Sequence, residues 1–233
     1  MINIGFSTGV LFPFSTIDSV PLLKDTSIKS IELSALRQHE LQPLINSLDN
    51  LDLSQFSYIS VHAPGKIKSR SAERSNVKLL KKVQAKNWPI IMHPDSIYDN
   101  KAWADFGNLL LIENLTSHAR FGRSAEELET IFENLPKANL CFDIGHACQY
   151  DRAMHEARKI AVMFQSKIRQ VHLSEVDNNG KHGKLTFTCL LDFRSIEYLL
   201  PNNTPVIFEV AVTPYEVSEV IETINNALLS IPQ

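Results

Sequence analysis

The segment 139–146, NLCFDIGH, decides how the rest of the chain is interpreted. An apolar run ends at an acid, Asp143, and His146 follows three residues later. A short continuous apolar run is typical of a strand that is buried on both faces of a parallel sheet. A carboxylate and an imidazole just past the end of such a strand could share one metal ion or one substrate. From this segment alone, an Asp that caps the next helix beside a surface His is an equally good interpretation.

The same pattern recurs along the chain, with segments of helical periodicity between the apolar runs. Strands that alternate with helices pair in parallel through right-handed crossovers. Eight such units in 233 residues favour one domain, residues 1–233, folded as an eight-stranded parallel (β/α)8 TIM barrel. An open doubly wound sheet is the alternative, but FSTGVLF after the first run lacks its glycine-rich phosphate loop. The predicted strands are 2–7, 27–34, 56–64, 88–94, 108–114, 139–146, 168–175 and 205–212, and the predicted helices are 14–24, 41–51, 71–85, 98–106, 124–134, 151–164, 193–200 and 214–231.

The composition narrows the class of protein. With 44% hydrophobic and 21% charged residues, the chain can bury a large core and has no disorder signature. The net charge of −3 gives no overall attraction to nucleic acid or to an anionic membrane. Three cysteines without metal or disulfide spacing, no apolar run of membrane-span length and no leader-like start predict a cytoplasmic protein without a membrane partner.

Ionisable residues concentrate at the ends of the predicted strands. In (β/α)8 barrels the catalytic residues come from these ends. A cluster of buried carboxylates is costly unless a cation compensates it, and imidazole with carboxylate suits Zn, Mn, Fe or Co. We therefore predict a divalent metal centre at this end of the barrel. Its candidate residues are His62, His93, Glu113, Asp143, His146, His172 and Glu209.

The order of the motifs VHAP, MHP, IEN, FDIGH, VHLSE and IFE resembles the xylose isomerase-like barrel superfamily. This superfamily contains sugar-phosphate isomerases and epimerases and the endonuclease IV-type apurinic-site nucleases. In the epimerase branch, the resemblance implies one divalent ion (Zn, Mn or Co) bound by Glu113, Asp143, His172 and Glu209.

The nuclease branch implies up to three zinc ions, with His62, His93, His146 and His182 as further ligands. It also uses an Asp-x-His pair after the seventh strand. In NNGKHGKL, Gly180 stands where that aspartate is expected, unless Asp177 substitutes for it. This departure counts against a complete three-zinc site.

Three functions follow from these expectations. The first is a sugar or sugar-phosphate isomerase or epimerase in which Glu113 and Glu209 exchange a proton through an enediolate, with His146, His62, Lys66 and Arg120 as substrate contacts. The second is a metal-dependent phosphodiesterase or apurinic-site nuclease, which is less favoured because the chain is acidic. The third is a barrel that binds sugar or metal without turnover. The oligomeric state stays open, and Glu32 is either a partner of a metal ligand or simply a buried acid.

Overall fold

The computed structural model describes residues 3–11, 14–24, 26–210, 212–213 and 215–230. Within them, the strands form a closed barrel in sequence order, and every neighbouring pair is parallel. The predicted (β/α)8 barrel is therefore confirmed. The strands are β1 (Asn3–Ser7), β2 (Ser30–Ser34), β3 (Tyr58–His62), β4 (Ile90–Met92), β5 (Leu110–Glu113), β6 (Asn139–Asp143), β7 (Ile168–Leu173) and β8 (Pro205–Phe208).

Helices alternate with the strands and surround the barrel. They are α1 (Thr16–Leu23), α2 (Gln38–Ser47), α3 (Arg70–Ala85), α4 (Asn100–Ala104), α5 (Ala125–Asn134), α6 (Ile144–Tyr150), α7 (His155–Met163), α8 (Phe187–Ile196) and α9 (Val217–Ser230). Two predictions were wrong. The helix predicted at 193–200 begins earlier, at Phe187, where Thr186 caps it, and α6 was not predicted at all. The predicted end points 2, 214 and 231 lie outside the described residues.

The strand ends place the candidate residues around one opening. His62, Glu113 and Asp143 are the last residues of β3, β5 and β6. The register pairs Asp143 with His172 of β7, and Glu209 directly follows β8. Because parallel strands all end at the same side of the barrel, residues far apart in sequence meet there.

The buried apolar residues form a large cluster in which the strands pack against the surrounding helices. The strands contribute large side chains such as Phe6, Phe142 and Phe208, and α4 contributes Trp103. No helix of the described residues has the length and hydrophobicity that crossing a membrane requires.

Candidate metal centre

Glu113, Asp143, His172 and Glu209 converge at the carboxyl ends of β5 to β8, and we call them the four-residue group. One ligand atom of each lies within 4.8 Å of the others, and all four are buried. The Nδ1 atom of His172 is 3.3 Å from Glu113 Oε1, 3.6 Å from Glu209 Oε2 and 3.9 Å from Asp143 Oδ2. Three carboxylates around one imidazole form a donor set of the kind that a divalent cation binds.

Asp143 provides a direct test of whether a metal ion fits. Its Oδ1 atom accepts a hydrogen bond from the His146 backbone at 2.7 Å, but among the described residues its buried Oδ2 has no hydrogen-bond partner. Burial and the charge of Glu113 raise the pKa of Asp143 to about 8. A buried carboxylate oxygen without a partner is costly. A divalent ion would supply that partner, so the donor set fits one.

Glu32 fixes the orientation of His172 from inside the barrel. His172 Nε2 lies 2.7 Å from Glu32 Oε2, so it donates there and leaves Nδ1 facing the carboxylates. Gln170 Nε2 donates to the same Glu32 oxygen at 2.7 Å, and Tyr58 donates to Gln170 Oε1 at 2.9 Å. Burial alone would raise the pKa of Glu32, but the charge and hydrogen bond of His172 lower it. A carboxylate behind a histidine in this way is the usual support of a metal ligand.

A second group, His62, His93 and Glu113, adjoins the first, and we call it the three-residue group. His62 Nε2 and His93 Nε2 lie 2.9 and 3.2 Å from Glu113 Oε2. His62 Nδ1 donates to the Ala63 carbonyl at 2.7 Å, which aims Nε2 at Glu113. Although burial alone would lower it, the hydrogen bond and charge of Glu113 raise the pKa of His62 to about 9. Glu113 therefore faces the four-residue group with Oε1 and the three-residue group with Oε2.

His146 and His182 lie beside the four-residue group, with ring centroids 5.2 Å apart. His146 Nδ1 is 2.9 Å from the Asn114 carbonyl, and His182 Nδ1 is 2.7 Å from Ser174 Oγ. Among the described residues, no group of three candidate ligands includes either histidine.

Asp177, the possible substitute for the missing third-site aspartate, accepts hydrogen bonds within its own turn. It is exposed, and its Oδ1 atom accepts hydrogen bonds from the backbones of Asn179 and Lys181 at 2.8 and 2.9 Å. Its Oδ1 atom thus closes its own turn. Among the described residues, the candidate ligand atoms form two groups.

A cleft of about 1030 Å³ lies above both groups. Its floor includes His62, Glu113 and Glu209, and Lys66 lies at its mouth. Arg120, which the sequence predicted as a substrate contact, is exposed in the turn after β5 and does not line the cleft. Its role as a substrate contact stays a prediction.

Asn114 is a structural member of the site that the sequence analysis missed. It is fully buried, its Nδ2 donates to the Asp143 carbonyl at 2.7 Å, and its Oδ1 accepts from the Asp143 backbone at 2.8 Å. The amide side chain thereby continues the pairing of β5 with β6 beyond the end of β5. The available signal was a polar residue directly after the predicted ligand Glu113.

Comparison with known proteins agrees with this architecture. Residues 100–224, just over half of the chain, match the model of the xylose isomerase-like TIM barrel family. The chain belongs to this family. No curated protein matches it significantly.

Solved structures share the fold over almost the whole chain. A xylose isomerase domain protein from Alicyclobacillus acidocaldarius is 14% identical, with 98% of this chain and 99% of that chain covered and a TM-score of 0.66. The 3-keto-D-glucoside 4-epimerase of Escherichia coli is 14% identical, with 97% and 100% covered and a TM-score of 0.61. The protein SacUVDE is 13% identical, with 98% and 99% covered and a TM-score of 0.58. At these identities the likeness establishes the fold alone.

Proposed function

We propose that this protein is a divalent-metal-dependent isomerase or epimerase of a sugar or sugar phosphate. The observation that carries the proposal is the position of Glu113 and Glu209, which are the first and last members of the four-residue group in the order of the strands around the barrel. They come from β5 and from the residue after β8, with Asp143 and His172 between them around the barrel. Both glutamates also line the cleft, so both can face the same substrate carbon.

The proposed reaction moves a proton next to a carbonyl group. Glu113 removes the proton from the carbon next to the carbonyl, and the electron pair that is left forms an enediolate. Glu209 then returns a proton, either to the neighbouring carbon, which isomerises the sugar, or to the opposite face of the same carbon, which epimerises it. A divalent ion held by the four-residue group would polarise the substrate oxygens. Burial alone would raise the pKa of Glu113, but the charges of His93 and His172 and the hydrogen bonds from His172 and His62 keep it well below its usual value, so Glu113 is anionic.

His146 is placed to orient the substrate in this reaction. Its Nδ1 atom donates to the Asn114 carbonyl, so in the neutral ring Nε2 carries the lone pair. Burial lowers the pKa of His146, which favours that neutral form. Because the residue lines the cleft, Nε2 can accept a hydrogen bond from a substrate hydroxyl.

Solvent exchange tests the proposal. The metal-loaded protein is incubated in ²H₂O with a panel of keto and aldo sugars and their phosphates, and loss of the α-proton signal is followed by NMR. We expect exchange with at least one compound, and loss of exchange in Glu113→Gln and Glu209→Gln. Exchange that persists in both variants would contradict the assigned roles.

The three-residue group favours one second candidate, a metal-dependent phosphodiesterase. Two ions bridged by one carboxylate can activate water and stabilise the leaving oxygen of a phosphodiester. Glu113, with one oxygen toward each group, would help to hold an ion in each of them. Hydrolysis of bis(p-nitrophenyl) phosphate or of an abasic-site oligonucleotide, lost in His93→Ala, would support this candidate, and α-proton exchange without hydrolysis would reject it.

A further inference from the structure

The mouth of the cleft carries positive charge, although the chain as a whole is acidic. The net charge of the protein is −3, yet Arg37, Lys66, Lys68 and Lys181 line the cleft, and Asp95 is the acid that accompanies them above the floor. A cleft lined by one sign of charge raises the local concentration of the oppositely charged ligand. The positive charge at the mouth therefore favours a ligand whose outer end is anionic, while Glu113 and Glu209 line the floor.

Three of these cations, Lys66, Lys68 and Lys181, form no ion pair among the described residues, and Lys66 and Lys68 share one loop. Arg37 donates to Glu40 at 2.7 Å, so an acid already neutralises part of its charge. Lys66 and Lys68 are exposed, and no contact of theirs with an acidic side chain exists among the described residues. Their ammonium groups can therefore bind an anion without first breaking an ion pair.

The backbone that carries these lysines, residues 65–68, is held by hydrogen bonds to the segment after β4, and we call it the lysine loop. Ser96 Oγ donates to the Gly65 carbonyl at 2.8 Å, and the Tyr98 hydroxyl donates to the Ile67 carbonyl at 3.0 Å. Ile67 is buried between the two lysines and anchors the loop. A fixed backbone reduces the entropy that ordering the lysines on a ligand would cost.

The lysine loop also passes directly against the metal centre. A Cβ atom on Gly65 would lie 3.0 Å from Cε1 of the His93 ring, so the backbone next to Lys66 touches a member of the three-residue group. Because Lys66 and Lys68 line the same cleft as Glu113 and Glu209, one small molecule can contact both pairs.

We propose that Lys66 and Lys68 form a phosphate-binding subsite, and that the substrate is a phosphorylated small molecule whose sugar end reaches Glu113 and Glu209. This inference rests on the proposed function for the sugar end of the substrate, where the reaction takes place. It adds that the other end of the substrate carries a phosphate group. Lysine binds phosphate as a compact charge with several donors. The cleft volume of about 1030 Å³ is that of a small-molecule site, and the net charge of −3 opposes a polyanionic nucleic acid.

Binding of inorganic phosphate to the metal-loaded protein tests the subsite. The Kd is measured by titration calorimetry for the wild type, for the double variant Lys66→Met/Lys68→Met, and for Lys78→Met as a control. Lys78 is a matched control because it is an exposed lysine on α3 outside the cleft. We expect the double variant to bind phosphate about tenfold or more weakly, as the loss of charge-assisted hydrogen bonds implies. Lys78→Met should bind it as the wild type does.

Metal content is measured in the same samples and should be unchanged in the double variant. An unchanged phosphate Kd in the double variant would overturn the proposal. The proposal would also be overturned if the double variant bound phosphate as the wild type does but bound an abasic-site oligonucleotide more weakly, since the two lysines would then bind nucleic acid.

A turnover measurement separates this proposal from the proposed function. With a phosphorylated sugar, the double variant should show a raised KM and nearly unchanged kcat, and with the unphosphorylated sugar neither should change. If the double variant binds phosphate more weakly but the wild type exchanges no α-proton with any sugar, the result would support the phosphate subsite and contradict the isomerase function. An equal effect on phosphorylated and neutral sugars would overturn the subsite.

Discussion

Replacing Glu32 by Gln tests whether the barrel interior supports the metal centre. The Glu32 carboxylate is fully buried, and it accepts from His172 Nε2 and Gln170 Nε2, each at 2.7 Å to the same oxygen. Glutamine has the same shape, so its amide oxygen can keep that position. Its NH₂ group then faces Ser34 Oγ, which lies 3.4 Å from the other oxygen of Glu32 and can accept. The substitution therefore removes the charge with little change in packing.

The expected cost falls on metal affinity. Without a carboxylate at Nε2, His172 becomes a weaker and less firmly oriented ligand through Nδ1. Removing such a partner usually weakens metal binding by about 10- to 100-fold, or about 1.4–2.8 kcal/mol. The affinity is measured by competition with a chromophoric chelator, and circular dichroism checks that the barrel remains folded.

Glu73→Gln provides the control for a buried carboxylate that has no metal role. Glu73 is 1% exposed, and its Oε1 atom accepts from the Tyr98 backbone at 2.6 Å and from Trp103 Nε1 at 2.9 Å. We expect this variant to lose stability while its metal affinity stays at the wild-type value. If Glu32→Gln bound metal within about twofold of wild type, or if both variants lost affinity equally, the supporting role of Glu32 would be refuted.

Three further predictions concern pH, packing and the outer surface. In the chelated protein the pKa of Asp143 is raised to about 8 and that of His62 to about 9, so both hold more protons when folded than when unfolded. The free energy of unfolding should therefore fall from pH 7 to pH 9, and less steeply with metal bound; a rise measured by urea denaturation would contradict this. Gly145→Ala should lower the free energy of unfolding by about 1–3 kcal/mol, because its Cβ would lie 2.5 Å from the Ser174 carbonyl; an unchanged urea midpoint would contradict the close packing of α6 on β7. Arg120→Met should leave the phosphate Kd unchanged, since Arg120 does not line the cleft, and a severalfold loss in calorimetry would place it there after all.

The barrel could be predicted from the sequence because its strands are buried on both faces. Segments such as β5 and β6 are continuous apolar runs, and each ends at an acid that meets the neighbouring strands at one opening. The convergence of Glu113, Asp143, His172 and Glu209 follows from that topology alone. Their roles as ligands remain a prediction.

The remaining features depend on side-chain geometry that the pattern does not encode. The helix α6 begins directly at the end of β6, where Asp143 caps it, and a strand followed at once by a helix leaves no loop signal. The link from Glu32 through His172 joins residues 140 positions apart, so only the folded barrel reveals it.

The number of metal ions per chain tests the central claim most directly. Protein purified without chelator is analysed for its metal content, as are His172→Ala and the double variant His62→Ala/His93→Ala. We expect one tightly bound divalent ion in the four-residue group, lost in His172→Ala but kept in the double variant, whereas a second ion that the double variant lacks would favour the phosphodiesterase instead. A wild-type chain with no bound metal, even after metal is added back, would contradict the account.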